Sequence, residues 1–80
     1  MSDSSDGRSW VIGINQSLKL IRSGKAKRVI LAKDADTAFS TRVMYELKKA
    51  GVLDIDNRYT SRQLAEKAGV DVPTAIITEF

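Results

Sequence analysis

The sequence predicts a single small α/β domain, and two observations support this prediction. Segments typical of strands alternate with amphipathic segments typical of helices in the order β-α-β-α-β-α-β, and such alternation predicts a sheet with helices packed on its faces. The chain has 80 residues and 42% of them are hydrophobic, which suffices for one modest core but not for a second domain. We expect residues 9–80 to form the domain and the polar residues 1–8 to be a disordered tail.

The first half of the chain contains two predicted strands and one predicted helix. Trp10–Ile12 is a short apolar run that stops at Gly13, which is typical of a short strand. Asn15–Ser23 has the pattern of a helix, because apolar residues recur along one of its faces and Gly24 provides a natural end. Arg28–Ala32 is nearly all apolar, which predicts a central strand buried on both faces.

The second half contains the longest predicted helix, a shorter helix and two strands. Thr37–Ala50 has an apolar stripe at helical spacing. The capping-box pattern of Thr60–Gln63 predicts a helix that runs to Ala68. Val70–Pro73 is predicted to be a loop, because proline lacks the N–H group that a central strand needs. The remaining predicted strands are Val52–Asp56 and Thr74–Thr78.

Two residue types that carry much of enzyme chemistry are missing from the sequence. Without cysteine there are no disulfides, thiolate zinc sites or cysteine nucleophiles, and without histidine the commonest general base and metal ligand are missing. We therefore expect a binding surface, with no catalytic residues, metal or cofactor. No apolar run approaches the roughly 18 residues of a membrane helix, and the N-terminus lacks the pattern of a signal peptide. We expect a cytoplasmic protein that does not contact membranes.

The positive charge is concentrated in one stretch of the chain. The net charge is +3, yet the stretch from Lys19 to Lys33 contains six cations and no acidic residue. A stretch of one sign favours a polyanionic partner such as nucleic acid. From the charges alone, a solvated surface with an accidental imbalance is the alternative. The six cations are Lys19, Arg22, Lys25, Lys27, Arg28 and Lys33.

The segment Gly13–Lys19 joins the first strand to the first helix and has the composition of a nucleic-acid contact. Glycine permits the close approach of another backbone, and a helix N-terminus offers N–H groups and the positive end of the helix dipole. Asn15 and Gln16 carry donors and acceptors that can read purine edges, and Lys19 lies one turn beyond Asn15 on the same face. The alternative is that Gly13 only forms a turn and Asn15 only caps the helix.

Two carboxylates follow the predicted central strand. Asp34 and Asp36 lie at its C-terminal end, where α/β proteins commonly bind ligands, and they could hold Mg²⁺ or accept a phosphoryl group. The alternative is that both residues cap the next helix.

The loop Val70–Pro73 is a second candidate contact. Its valines lie in a stiff stretch that we expect to be exposed, and they could cover an unstacked base. The alternative is ordinary packing at the edge of the sheet.

Taken together, these residues resemble the kink-turn RNA-binding ribosomal family of the L-seven-Ae and L-thirty-e type, and its short bacterial members most closely. The resemblance runs from Val11 to Ile77, which is most of the chain. The matching pieces, in the family's order and nearly its spacing, are Gly13–Gln16 with Lys19, Gly24–Asp36, and Leu64 with Ala68–Pro73.

The resemblance implies a small three-layer α/β/α sandwich with a mixed sheet of about four strands and helices on both faces. It also implies a non-catalytic monomer that binds structured RNA, namely a kink-turn with tandem G·A pairs, in ribosomal RNA or another non-coding RNA. The role would be ribosomal or ribosome-associated. By resemblance, Asn15, Gln16 and Lys19 contact the G·A pairs, and Val70–Val72 cover the flipped-out nucleotides.

We expect RNA contacts from the first helix, the basic stretch, the third helix and the loop before the last strand. Two other functions stay open: a small receiver-like phosphoryl acceptor that uses Asp34 or Asp36, and a protein–protein interaction module whose basic face binds an acidic partner. The RNA-binding candidates are Gly13, Asn15, Gln16, Lys19, Arg22, Lys25, Lys27, Lys33, Arg62, Val70, Asp71 and Val72.

Overall fold

The structure, a computed structural model, describes residues 9–80 and contains three helices and four strands in the predicted order. The helices are α1 (Ile14–Arg22), α2 (Thr37–Ala50) and α3 (Ser61–Ala68). The strands are β1 (Trp10–Ile12), β2 (Arg28–Leu31), β3 (Ile55–Asp56) and β4 (Ile76–Glu79). The prediction of a disordered tail concerns residues 1–8, which lie outside the described residues.

The four strands form one mixed sheet in the order β1-β4-β2-β3. β4 is antiparallel to both of its neighbours, β1 and β2, whereas β2 and β3 are parallel. We call the end at which β1, β2 and β3 finish and β4 begins the carboxyl end of the sheet, and the opposite end the amino end. Each helix follows one of the three strands that finish at the carboxyl end, so all three helices begin there.

The helices cover both faces of the sheet, which confirms the predicted three-layer sandwich. Buried residues of α1 and α2 pack on one face, and α3 packs on the other. β2 is buried on both faces, as predicted, because Val29 and Leu31 lie in the core with α1 and α2 while Ile30 lies in the core with α3. No helix within residues 9–80 is long and apolar enough to cross a membrane. The fully buried core residues include Ile21, Val29, Val43, Leu47, Leu64 and Ile76.

Side-chain caps and glycines explain where α2 and α3 begin and end. The Asp36 carboxylate accepts a hydrogen bond from the amide of Ala38 and so caps α2, as predicted. Thr60 and Gln63 form the predicted capping box at the start of α3. Each helix ends at a glycine in the left-handed conformation, which glycine adopts without a steric penalty. These glycines are Gly51 and Gly69.

Two predicted strands have different bounds in the structure. The predicted strand Val52–Asp56 is wrong for its first three residues, because only Ile55 and Asp56 pair with β2. Val52 contributes to the core from a loop, and Leu53 is 91% exposed. The last strand begins two residues later than predicted and extends to Glu79, because its pairing with β1 and β2 covers Ile76–Glu79.

Candidate nucleic-acid interface

Gly13 makes the turn between β1 and α1. It has φ 99° and ψ 159°, a conformation that only glycine adopts without strain. Its amide donates to the carbonyl of Ile76 at the start of β4 (3.1 Å), and its carbonyl accepts from the amide of Ser17 in α1 (3.1 Å). The start of α1 is therefore fixed beside the start of β4, at the carboxyl end of the sheet.

The N-terminus of α1 is uncapped, unlike those of α2 and α3. Gly13 occupies the N-cap position, so the alternative prediction that Asn15 caps this helix is wrong. No side chain within residues 9–80 caps the helix, and its first turn holds no acidic residue. The positive end of the α1 dipole and its first N–H groups therefore lie at the surface, where an anion can bind.

Two of the predicted RNA contacts lie at this helix start, and a third lies one turn further along the helix. Asn15 and Gln16 are the second and third residues of α1, and Lys19 follows one turn after Asn15 on the same face. All three residues are exposed. Two side-chain amides thus lie at an uncapped helix start and one ammonium group lies a turn further along, a combination that suits base edges and a nucleic-acid backbone.

Hydrogen bonds around Asp34 tie three loops together at the carboxyl end of the sheet. The Asp34 carboxylate accepts from the amide (2.9 Å) and the hydroxyl (3.2 Å) of Ser61, the first residue of α3. The Ser61 carbonyl accepts from the amide of Thr74, just before β4 (3.1 Å), and the Lys33 amide donates to the carbonyl of Tyr59 (2.8 Å). The loops after β2, before α3 and before β4 are therefore held in a fixed arrangement.

The loop between α3 and β4 forms a shallow groove together with Arg62. The groove has a volume of about 350 Å³, and its lining includes Arg62, Val70, Asp71, Val72 and Pro73. Val72 is 65% exposed, whereas Val70 is half-buried. The expectation that the valines of this loop are exposed is confirmed for Val72 and wrong for Val70.

The structure divides the predicted basic stretch between the two ends of the sheet. Lys33 lies at the carboxyl end, because it follows β2. Arg22, Lys25 and Lys27 lie at the amino end, because α1 finishes there and β2 begins there. An α-helix rises about 1.5 Å per residue, so Asn15 and Arg22 are about 10 Å apart along α1. The carboxyl end thus brings together Gly13, Asn15, Gln16, Lys33, Arg62, Val70, Asp71 and Val72, and Lys19 lies between the two ends, one turn after Asn15.

Arg22 forms an ion pair that joins α1 to α2. Its guanidinium donates to both carboxylate oxygens of Glu46, each at 3.2 Å. These hydrogen bonds, together with the positive charge of Arg22, hold the pKa of the Glu46 carboxyl below its ordinary value. Arg22 therefore connects two helices of the same layer, and its charge is offset by that of Glu46.

Both carboxylates of the alternative phosphoryl-acceptor site have structural roles. Asp36 caps α2, as expected, whereas Asp34 holds the start of α3 rather than that of α2. Within residues 9–80, no group of three acidic side chains is placed to hold a metal ion. The two carboxylates therefore serve to order the loops at the carboxyl end.

Sequence reasoning missed the part that Ser61 plays in this interface. Its backbone and hydroxyl connect Asp34 to Thr74 and so position the neighbouring Arg62. The capping box marks the start of α3, but it does not show that a carboxylate 27 residues earlier binds there. Only the parallel pairing of β2 with β3 brings these two loops together.

The fold is a small α/β/α sandwich in which the uncapped N-terminus of α1 and its polar residues lie at the carboxyl end of the sheet. The chain belongs to the ribosomal protein L7Ae/L30e/S12e/Gadd45 family, whose family model matches residues 2–79. This match confirms the family resemblance predicted from the sequence. It also agrees with the prediction of a non-catalytic protein.

Two relatives are named for RNA binding. An RNA-binding protein of Bacillus pumilus (strain SAFR-032) is 30% identical over 73 residues, which cover 91% of this chain and 88% of the relative. The solved structure of a Giardia lamblia 15.5-kD RNA-binding protein superposes with a TM-score of 0.77 at 28% identity. That match covers 88% of this chain but 58% of the Giardia chain, so this chain spans little more than half of that relative.

A third relative shares the fold alone. The structure of a protein of unknown function from Bacillus halodurans C superposes with a TM-score of 0.77 at 17% identity, and the match covers 86% of this chain and 68% of that one. Together with the Giardia structure it confirms the α/β fold.

Proposed function

We propose that the protein binds structured RNA, specifically a kink-turn with tandem G·A pairs, in a ribosomal or ribosome-associated RNA of the cytoplasm. The observation that carries this proposal is the start of α1. An uncapped helix N-terminus carries the exposed Asn15 and Gln16 there, and Gly13 fixes it beside the start of β4. The exposed Lys19 follows one turn after Asn15 on the same face of the helix. The family membership and the two relatives that are named for RNA binding support it.

Recognition divides into contacts that read bases and contacts that position the protein. The amides of Asn15 and Gln16 match the donors and acceptors of purine edges, and such contacts distinguish one base from another. Lys19 and the first N–H groups of α1 bind phosphate, which fixes the position of the protein without reading the sequence. The exposed Val72 packs on a base that is unstacked in the folded RNA.

The protein acts on the shape of the RNA. A kinked RNA brings phosphates close together, and their repulsion favours the extended state. Contacts that exist only in the kinked state shift the equilibrium towards it. The carboxyl end of the sheet offers such contacts from two directions, because the start of α1 and the loop before β4 are both held there. We therefore propose a monomer that stabilises a kinked RNA and performs no chemistry on it.

Fluorescence anisotropy with two RNAs tests the proposal. One RNA is a generic kink-turn, and in the other its G·A pairs are replaced by Watson–Crick pairs. Each lost base-specific contact costs about 1–3 kcal/mol, so we expect the substituted RNA to bind at least about tenfold more weakly. Equal affinity for the two RNAs would contradict kink-turn recognition. The absence of binding to either RNA would contradict RNA binding altogether.

A further inference from the structure

The amino end of the sheet carries its own group of lysines. α1 and α2 both finish at this end, on the same face of the sheet. Lys48 and Lys49 lie in the last turn of α2, and Lys25 and Lys27 lie in the segment that leads from α1 to β2. All four residues are exposed. We call these four residues the amino-end lysines.

The acidic residues next to the amino-end lysines are paired with arginines. Glu46 is paired with Arg22, and Asp54 with Arg28, each at 3.2 Å. Glu79, at the end of β4, lines a groove on the α3 side of the sheet together with Lys67. Lys49 lies in a groove with Arg22 and Glu46, so the Glu46 carboxylate offsets part of its charge as well as that of Arg22. Lys25, Lys27 and Lys48 add further positive charge, and the amino end therefore has an excess of positive charge on the side of α1 and α2.

The carboxyl end, by contrast, is close to neutral. Its cations are accompanied by a similar number of carboxylates. Two of these, Asp34 and Asp36, accept the backbone hydrogen bonds that order the loops. The excess of positive charge that the sequence shows therefore lies at the end opposite to the proposed kink-turn contacts. The cations of the carboxyl end are Lys33, Arg58 and Arg62, its carboxylates are Asp34, Asp36, Asp56 and Asp71, and Glu66 lines the groove beside Arg62.

Helix stability explains only part of this charge. Lys48 and Lys49 stand in the last turn of α2, where a cation interacts favourably with the negative end of the helix dipole. Lys25 and Lys27 lie outside the helices, and the effect of the dipole is confined to the last turn. A group of exposed lysines with an excess of positive charge attracts and holds a polyanion.

We propose that the amino-end lysines bind the phosphate backbone of a second RNA segment while the carboxyl end holds the kink-turn. The proposal rests on the RNA-binding function proposed above. Six residues, most of them in β2, lead from Lys27 to Lys33, and at about 3.3 Å per residue they span about 20 Å. One phosphate group cannot contact both ends across this distance. Lysine acts as a compact point charge that contacts phosphates without reading bases. The segment that we propose is therefore an A-form duplex, because its bases are paired and proteins recognise it mostly through its shape and backbone.

Two charge-matched variants test the proposal. Lys25→Glu/Lys27→Glu alters the amino end outside the helices, and Lys33→Glu/Arg62→Glu makes the same change in net charge at the carboxyl end. Circular dichroism melts establish that each variant is folded. The probes are a short kink-turn RNA and a fluorescently labelled 16-base-pair RNA duplex without G·A pairs. Anisotropy of the labelled duplex is measured with the protein alone and with its one-to-one complex with the unlabelled kink-turn RNA.

We expect the one-to-one complex to bind the plain duplex. Lys25→Glu/Lys27→Glu should weaken binding of the plain duplex at least about tenfold and reduce the slope of log K against log salt by about two, because two phosphate contacts are lost. Its affinity for the kink-turn RNA should change less than about threefold, since phosphate contacts elsewhere do not read the kink-turn. Lys33→Glu/Arg62→Glu should instead weaken binding of the kink-turn RNA at least about tenfold and change the affinity for the plain duplex less than about threefold.

Three results would overturn the proposal that the amino-end lysines bind a second RNA segment. Equal weakening of duplex binding by the two variants would reveal only a general effect of net charge. Failure of the complex to bind the plain duplex, where the protein alone binds it, would show that both RNAs use one surface. No binding of the plain duplex at low salt would show that the amino-end lysines do not bind duplex RNA. The proposed function fails separately, through equal affinity for the kink-turn and its G·A-substituted form.

Discussion

Substitution of Val72 by serine tests whether this residue contributes to RNA binding or to the stability of the fold. The residue is 65% exposed, so its replacement by serine leaves no cavity, and the free energy of unfolding should change by less than about 0.5 kcal/mol. Complete burial of a valine side chain contributes about 1.5–3 kcal/mol. Since 65% of the residue is available for burial by RNA, Val72→Ser should weaken RNA binding by about 1–2 kcal/mol, or about 5- to 30-fold.

Val52 provides the matched control, because it is also a valine in a loop but is 8% exposed and part of the core. Val52→Ser buries a hydroxyl and leaves a small void, so it should lower the free energy of unfolding by about 1–3 kcal/mol. The affinity of its folded fraction should not change. Urea unfolding and anisotropy with the kink-turn RNA measure both quantities for each variant. A large loss of stability in Val72→Ser, or an unchanged RNA affinity, would refute the reasoning.

Three further outcomes are expected. Asn15→Ala and Lys19→Ala should each weaken kink-turn binding by about 1–3 kcal/mol with unchanged circular dichroism; unchanged affinity in both would place the contact elsewhere. Gly13→Ala should lower the free energy of unfolding by about 1–3 kcal/mol, measured by urea unfolding, because alanine adopts this backbone conformation only with strain. The added Cβ would clash with nothing, so the loss would report the strain alone. Unchanged stability would show that this turn tolerates other residues. Hydrogen bonds from Arg22 and Arg58 hold the pKa values of the Glu46 and Asp56 carboxyls below their ordinary values, so their stabilisation is present above the ordinary values and is lost as the pH falls through the lowered ones. With no histidine in the chain, the melting temperature should be flat from about pH 5.5 to 8 and fall below about pH 4; a transition near pH 6.5 would contradict this assignment.

The helices were predictable from the sequence because their signals are local. The bonds that cap α2 and α3 join residues two or three positions apart, so the spacing of Asp36, Thr60 and Gln63 already predicts them. α1 begins one residue earlier than predicted, since glycine rather than Asn15 takes the N-cap position. As a result the Asn15 side chain does not cap the helix and is exposed, as the proposed RNA contact requires.

β3 shows where local patterns fail. Val52–Asp56 has the composition of a strand, but a strand forms only where a neighbour offers backbone partners, and β2 pairs with just Ile55 and Asp56. Val52 enters the core without any pairing, and Leu53 stays exposed. Composition reports a tendency towards extended backbone, whereas the pairing partner decides the length of the strand.

The distribution of charge between the two ends of the sheet could not be predicted from the sequence. Lys27 and Lys33 are neighbours in one basic stretch, yet the intervening strand places them at opposite ends. The pairing of Arg22 with Glu46 joins residues 24 positions apart, and only the packing of α1 on α2 brings them together. A run of like charges in the sequence is therefore not one surface until the topology is known.

The central claim is that RNA binds at the carboxyl end of the sheet, and mapping of ¹H–¹⁵N chemical shifts tests it most directly. The labelled protein is titrated with one equivalent of a short kink-turn RNA, and the chain of 80 residues is small enough for every amide to be followed. The largest changes are expected at the amides of Gly13–Lys19, Lys33–Asp36, Ser61–Arg62 and Val70–Val72. Largest changes at Arg22–Lys27 or at the end of α2 would contradict the claim, as would a spectrum that does not change.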